Sequence, residues 1–119
     1  MANNMQNTPF NLASCIEFAG KYHGRQKVIT RLVENDEIHE TTYADILLRS
    51  RKFANALKKL NVAFGDKIGT IALNTYRHLE AWYGISGQGL VCHTINPRLS
   101  PTQLIYIINH AEDQYILID

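Results

Sequence analysis

Between Thr42 and Ile118 the chain alternates three times between a segment with helical spacing and a short apolar run of strand length. Parallel strands need a crossover between them, and a helix is the usual one. Such an alternation therefore specifies a parallel sheet covered by helices. The runs are Ile68 to Leu73, Leu90 to Ile95 and Tyr115 to Ile118. The second is apolar almost throughout, which predicts burial on both of its faces. Gly69 in the first permits close packing.

The helical segments carry their own punctuation. Thr42 precedes Asp45 by three residues, so it can cap a helix whose positive end Asp45 suits. Ile46, Phe53, Leu57 and Leu60 would form that helix's inner face, and Asn61 can close it in a left-handed conformation. Gly65-Asp66 reads as a turn. Asn74 or Thr75 can cap the next helix, with Leu79, Trp82, Tyr83 and Ser86 facing inward. Gly84, Gly87 and Gly89 should break that helix up and end it. Asn96-Pro97 forces an extended step. Ser100-Pro101-Thr102-Gln103 then sets a cap, a proline at the first helical position and a reciprocal Gln. Leu104, Ile107, Ile108 and Ala111 supply an apolar face.

Upstream, residues 1–9 have no pattern and read as a loose arm, with residues 10–119 as one structured portion. Leu12, Ile16, Ala19 and Tyr22 recur at helical spacing behind Asn11, and Gly24 sits where that helix should end. Val28 to Val33 and Ile38 to Thr42 flank Glu34-Asn35-Asp36-Glu37, a turn-forming tetrad, so a β-hairpin is predicted at one edge of the sheet. The expected fold is α/β: a Rossmann-like three-layer half-sheet of mainly parallel strands, helices on both faces, and an N-terminal β-hairpin.

Composition narrows the function classes. With 119 residues the chain fits one small domain, and an apolar share of 45% allows a core. The net charge of +1 argues against a nucleic-acid partner. Arg49, Arg51, Lys52, Lys58 and Lys59 cluster on a helical segment and read as a solvated face. Cys15 and Cys92 lie far apart, as two reduced thiols would in a cytoplasmic protein. Met1 to Thr8 lacks the apolar and basic parts of a signal peptide, and no run approaches the roughly 20 residues of a membrane span.

Three constellations could carry chemistry. Gly84-Ile85-Ser86-Gly87-Gln88-Gly89 looks like a dinucleotide fingerprint reversed. It closes a helix instead of opening one, so carbonyls rather than N–H groups would meet a phosphate, and a packing role follows. The histidines His23, His39, His78, His93 and His110 offer no i, i+4 pair for a helical zinc site, and His78 and Glu80 point to different faces. Cys92-His93 occupies adjacent strand positions, which face opposite ways, so adjacency makes no catalytic dyad. No catalytic, cofactor-binding or metal residue is assigned.

The stretch Thr94-Ile95-Asn96-Pro97-Arg98-Leu99-Ser100-Pro101, with Gln103-Leu104 and Tyr106-Ile107-Ile108-Asn109-His110-Ala111-Glu112-Asp113, resembles the adenylate-forming acyl-CoA synthetases. It is most similar to their medium-chain and 3-methylmercaptopropionyl-CoA ligase branch. Thr42-Tyr43, Gly65-Asp66, Asn74 and Gly89 stand in matching order, while Gln88 replaces a small residue common in relatives. The resemblance implies a two-step reaction. A carboxylate, such as a fatty acid, attacks the α-phosphate of Mg-ATP to give an acyl-adenylate and pyrophosphate, and coenzyme A thiolate then displaces AMP. The family's phosphate loop, its aromatic-Gly-x-Thr-Glu motif, its ribose-binding Asp and its catalytic Lys have no counterpart here. The resemblance thus implies an inactive N-terminal portion of the larger domain, with ATP, Mg and coenzyme A used by the full-length enzyme. Two other readings compete: a stand-alone α/β interaction module, and a Rossmann-type nucleotide-binding domain. A reading frame continuing past Asp119 would dispose of the first. Absence of saturable nucleotide binding would dispose of the second. An open strand edge at Tyr115 to Ile118 leads to an expectation of self-association.

Overall fold

The computed structural model describes residues 11–119, so the expected arm at residues 1–9 lies outside the described residues. Helix α1 spans Leu12–Tyr22, and the Asn11 side-chain oxygen accepts from the Ala13 N–H at 2.8 Å, which satisfies one free donor of the first turn. Strands β1 (Lys27–Arg31) and β2 (Ile38–Thr42) form the expected antiparallel hairpin, with Ile29 opposite Glu40. Helix α2 spans Tyr43–Lys59. The Thr42 hydroxyl accepts from the Asp45 N–H at 3.2 Å and donates to the Asp45 carboxylate at 2.6 Å. Asn61 does take the left-handed conformation, at φ 58.

Strand β3 (Lys67–Ile71), helix α3 (Tyr76–Ser86), strand β4 (Val91–Ile95), helix α4 (Pro101–Ala111) and strand β5 (Tyr115–Ile118) complete the order. The three strands form a parallel sheet in the order β4-β3-β5. Ile68 stands level with Cys92 and Tyr115, and Thr70 with Thr94 and Leu117. Registered neighbours share a face. The face of Ile68 meets Leu57 of α2 and Ile85 of α3 in one cluster with Leu90, and Phe53, Val62, Cys92 and Leu117 pack around it. Each such buried aliphatic side chain stabilises by about 1.5–3 kcal/mol. The opposite face carries Gly69 and His93, where Asp113 from the end of α4 arrives. Helices α2 and α3 thus cover one face, and the segment that follows α4 reaches the other.

Four details differ from the sequence reading. Strand β4 is an edge strand, and only Ile95 of its residues is buried; the buried centre is β3. A continuous apolar run marks a strand that can be covered, but its place in the strand order decides whether it is. The hairpin forms a two-stranded sheet of its own and does not extend the parallel sheet. Leu60 is exposed, because the helix has ended and Leu60 is its C-cap. In α3 the buried residues are Glu80, Gly84 and Ile85, while Leu79, Trp82, Tyr83 and Ser86 are half-buried.

Gly84 does not break α3; it lets α3 approach α2. A Cβ there would lie 2.8 Å from Phe53 Cδ1 and 2.9 Å from the Ser50 carbonyl oxygen. One turn earlier, buried Glu80 accepts from Arg49 Nε at 2.6 Å, so the carboxylate has a cation partner across the same helix pair.

Helix α4 starts with both halves of the capping box. Gln103 N–H donates to Ser100 Oγ at 3.4 Å, and Ser100 N–H donates to Gln103 Oε1 at 3.0 Å. Ser100→Ala removes one half of this exchange and is expected to cost roughly 1 kcal/mol. Urea melts of both proteins measure it, and an unchanged midpoint would deny Ser100 the capping role.

Candidate functional site

A cleft of about 490 Å3 opens between the hairpin and α3. Val28, Ile29 and Thr30 of β1 form one wall, and Tyr76, Leu79 and Trp82 of α3 form the other. Asn74, Thr75, His78 and Thr94 complete the lining. The cleft lies just past the carboxyl ends of β3 and β4, where ligands settle in open α/β sheets. Its size falls within the range of small-molecule sites.

Three contacts hold the cleft's walls together. Thr30 Oγ1 accepts the Tyr76 N–H at 3.1 Å, so the hairpin caps the first turn of α3. His39 stacks on the Tyr76 ring with centroids 3.9 Å apart. His78 Nε2 lies 3.0 Å from Thr70 Oγ1 of β3, which fixes the imidazole against the sheet. Thr75, the N-cap of α3, makes no capping bond with its side chain; its hydroxyl donates to Asp119 at 3.2 Å. Arg77 holds Asp119 at 2.9 Å and Glu34 at 3.1 Å, joining the hairpin turn to the end of β5. Glu34, Tyr76 and Asp119 push its guanidinium further above its ordinary value, the Glu34 bond most strongly.

The residues singled out in sequence are dispersed. The glycines of 84–89 do not fit a phosphate. Gly84 is filled by Phe53 and the Ser50 carbonyl, and Gly89, at φ +75, is covered by the Phe64 ring. Of the histidines, His78 lines the cleft, His39 stacks on Tyr76, His23 ends α1, and His110 stacks on Tyr106. Among the described residues no group of three or more His, Cys, Asp or Glu could hold a metal ion. Of the basic residues, Arg49 pairs with Glu80 and Arg51 with Glu17, and Lys52, Lys58 and Lys59 are exposed. No helix of the described residues is long and apolar enough to cross a membrane.

Cys92 and His93 face opposite ways, as strand alternation requires. Cys92 packs against the core, and burial pushes its thiol up to about 11 despite a bond from Thr70. His93 Nδ1 lies 2.9 Å from Asp113, whose side chain has no exposed surface. The sequence reading did not join these two. They are 20 residues apart, and only the crossover through α4 brings them together.

The family model described as AMP-binding enzyme matches residues 17–119. The chain is 44% identical over 115 residues to a long-chain-fatty-acid–CoA ligase of Thermus thermophilus, covering 97% of this chain and 21% of that one. It is also 44% identical over 120 residues to a 3-methylmercaptopropionyl-CoA ligase of Ruegeria lacuscaerulensis, covering 100% and 22%. A solved Mycobacterium tuberculosis fatty acyl CoA synthetase superposes with a TM-score of 0.77 at 19% identity, over 91% of this chain and 21% of that one, and shares its fold. The chain thus spans about a fifth of the length of these relatives.

The Cys92 thiol sets a pH dependence. Its value is raised in the folded state, so the stability it confers is complete below the ordinary thiol value and is lost as pH rises through the folded one. Unfolding free energy is expected to decline between about pH 9 and pH 11. Cys92→Ala is expected to flatten that decline, and urea melts across this range measure it. With Ellman's reagent at pH 8, exposed Cys15 should react faster than half-buried Cys92. Two thiols reacting at one rate would contradict the partial burial of Cys92.

Proposed function

This chain belongs to the AMP-binding enzyme family, and from that premise we propose that it forms the N-terminal part of the larger domain of an ATP-dependent fatty-acyl-CoA ligase. The observation that carries the reading is the 44% identity, held over nearly all of this chain, to ligases of which it spans only a fifth. In this reading the whole protein joins a fatty or other small carboxylic acid to coenzyme A, through an acyl-adenylate, and releases AMP and pyrophosphate. It works in the cytoplasm with ATP, Mg and coenzyme A. The segment described here contributes scaffold. Gly84 and Gly89 of the glycine string are filled by packing, and no reaction step is assigned to the described residues.

A segment exchange tests this. The 119 residues replace the corresponding segment of the Ruegeria ligase, and pyrophosphate release is followed with ATP, coenzyme A and acid. Turnover that depends on both acid and coenzyme A is expected. A folded chimera without turnover would count against the reading. The 119-residue chain alone is expected to match the blank, and release above blank would overturn the scaffold role.

The isolated chain is also proposed to self-associate. No residue of α4 or β5 is buried, and Ile118 on the open edge strand is 78% exposed. Unpaired strand edges and uncovered apolar faces join other chains. Light scattering after size exclusion is expected to show a mass that grows with concentration. A monomer at every concentration would refute this.

A further inference from the structure

The loop from α2 to β3 holds large apolar side chains out in solvent. Phe64 is 87% exposed and Leu60, the C-cap of α2, is 54% exposed. The loop itself is tied down. The Asp66 carboxylate accepts the Ala63 N–H at 2.8 Å, and the Gly65 N–H donates to the Gly89 carbonyl at 3.0 Å. The Phe64 ring covers Gly89 and otherwise stands in water. A fixed tip that projects an aromatic ring suits a yielding surface better than a shaped pocket.

Charge selects the surface. Lys58 and Lys59, the last two residues of α2, are exposed and have no ion-pair partner among the described residues. Both complement the helix dipole, but that role makes no use of Phe64. Asp66 and Glu112 stand at the same end of the sheet, and both are engaged, Asp66 by the Ala63 N–H and Glu112 by Lys67 at 3.7 Å. Two open cations therefore flank two open apolar side chains within seven residues of chain. We propose that this end of the molecule docks on an anionic lipid surface. Phe64 and Leu60 enter the headgroup boundary, and Lys58 and Lys59 meet lipid phosphates. One ring and two cations give reversible attachment only. The contact lies at the amino ends of the strands, away from the cleft, and is independent of the ligase reading.

The 119-residue chain is sedimented with vesicles of phosphatidylcholine and phosphatidylglycerol in roughly equal parts, and with phosphatidylcholine alone. Binding is expected on the mixed vesicles, about tenfold weaker on the neutral ones, and falling as salt is raised. Phe64→Ser, and separately Lys58→Gln with Lys59→Gln, should each weaken it about tenfold, with circular dichroism checking that the variants fold. Ile105→Ser removes another exposed apolar side chain, from α4, and should change nothing. Equal binding to both vesicle types, or an effect of Ile105→Ser as large as that of Phe64→Ser, would overturn the proposal. So would a folded segment-exchange chimera whose vesicle binding ignores Phe64→Ser, because the rest of the protein would then cover the tip. Loss of self-association in Phe64→Ser, without vesicle binding by the parent chain, would assign the patch to a second copy instead.

Discussion

Strand β3 hydrogen-bonds to β4 along one edge and to β5 along the other, and its three central residues are buried. Most other features follow from what those residues require. Ile68 needs apolar cover, and α2 and α3 supply it through Leu57 and Ile85. Thr70 brings a hydroxyl into the interior, and His78 meets it, which in turn fixes one corner of the cleft. Gly69 leaves room on the far face; a Cβ there would stand 3.0 Å from the Asp113 carboxylate. The His93–Asp113 pair fits into that room.

Local chemistry was the legible part of the fold. Asn11, Thr42 and Ser100 act within three residues of themselves, and each caps the helix it was expected to cap. The parallel sheet was legible because alternation of elements admits few topologies. Burial was less so. Leu90 to Ile95 has the composition of a central strand, yet β5 pairs with β3 and leaves β4 outside. The buried face of α3 was hidden for another reason. It is built on Glu80 and Gly84, and neither registers in a search for apolar spacing, because one is neutralised by Arg49 and the other has no side chain.

The cleft was invisible to sequence reasoning because no local segment contains it. Its walls come from β1 and α3, joined by Thr30 to a backbone N–H 46 residues away. His39 and His78 carry no metal-ligand spacing in the sequence. What they do is stack on Tyr76 and anchor against Thr70. Alternation along β4 was enough to separate Cys92 from His93. It could not supply Asp113 as the partner of His93, because that contact depends on where the crossover returns.

The strand order also fixes a sequence of events during synthesis. The central strand is made before either of its neighbours. β4 follows after one helix, and until β5 has emerged the second edge of β3 has no partner from its own sheet. At ribosomal rates the roughly two dozen residues from Asn96 to Ile118 take about one to five seconds to add. For that interval a nascent chain presents the backbone of its most buried strand to whatever is near. The capping box at Ser100 lies within this interval. A helix that starts without delay shortens the reach of the chain and carries β5 back toward the waiting edge, so a feature worth little to final stability can matter to the first seconds of folding.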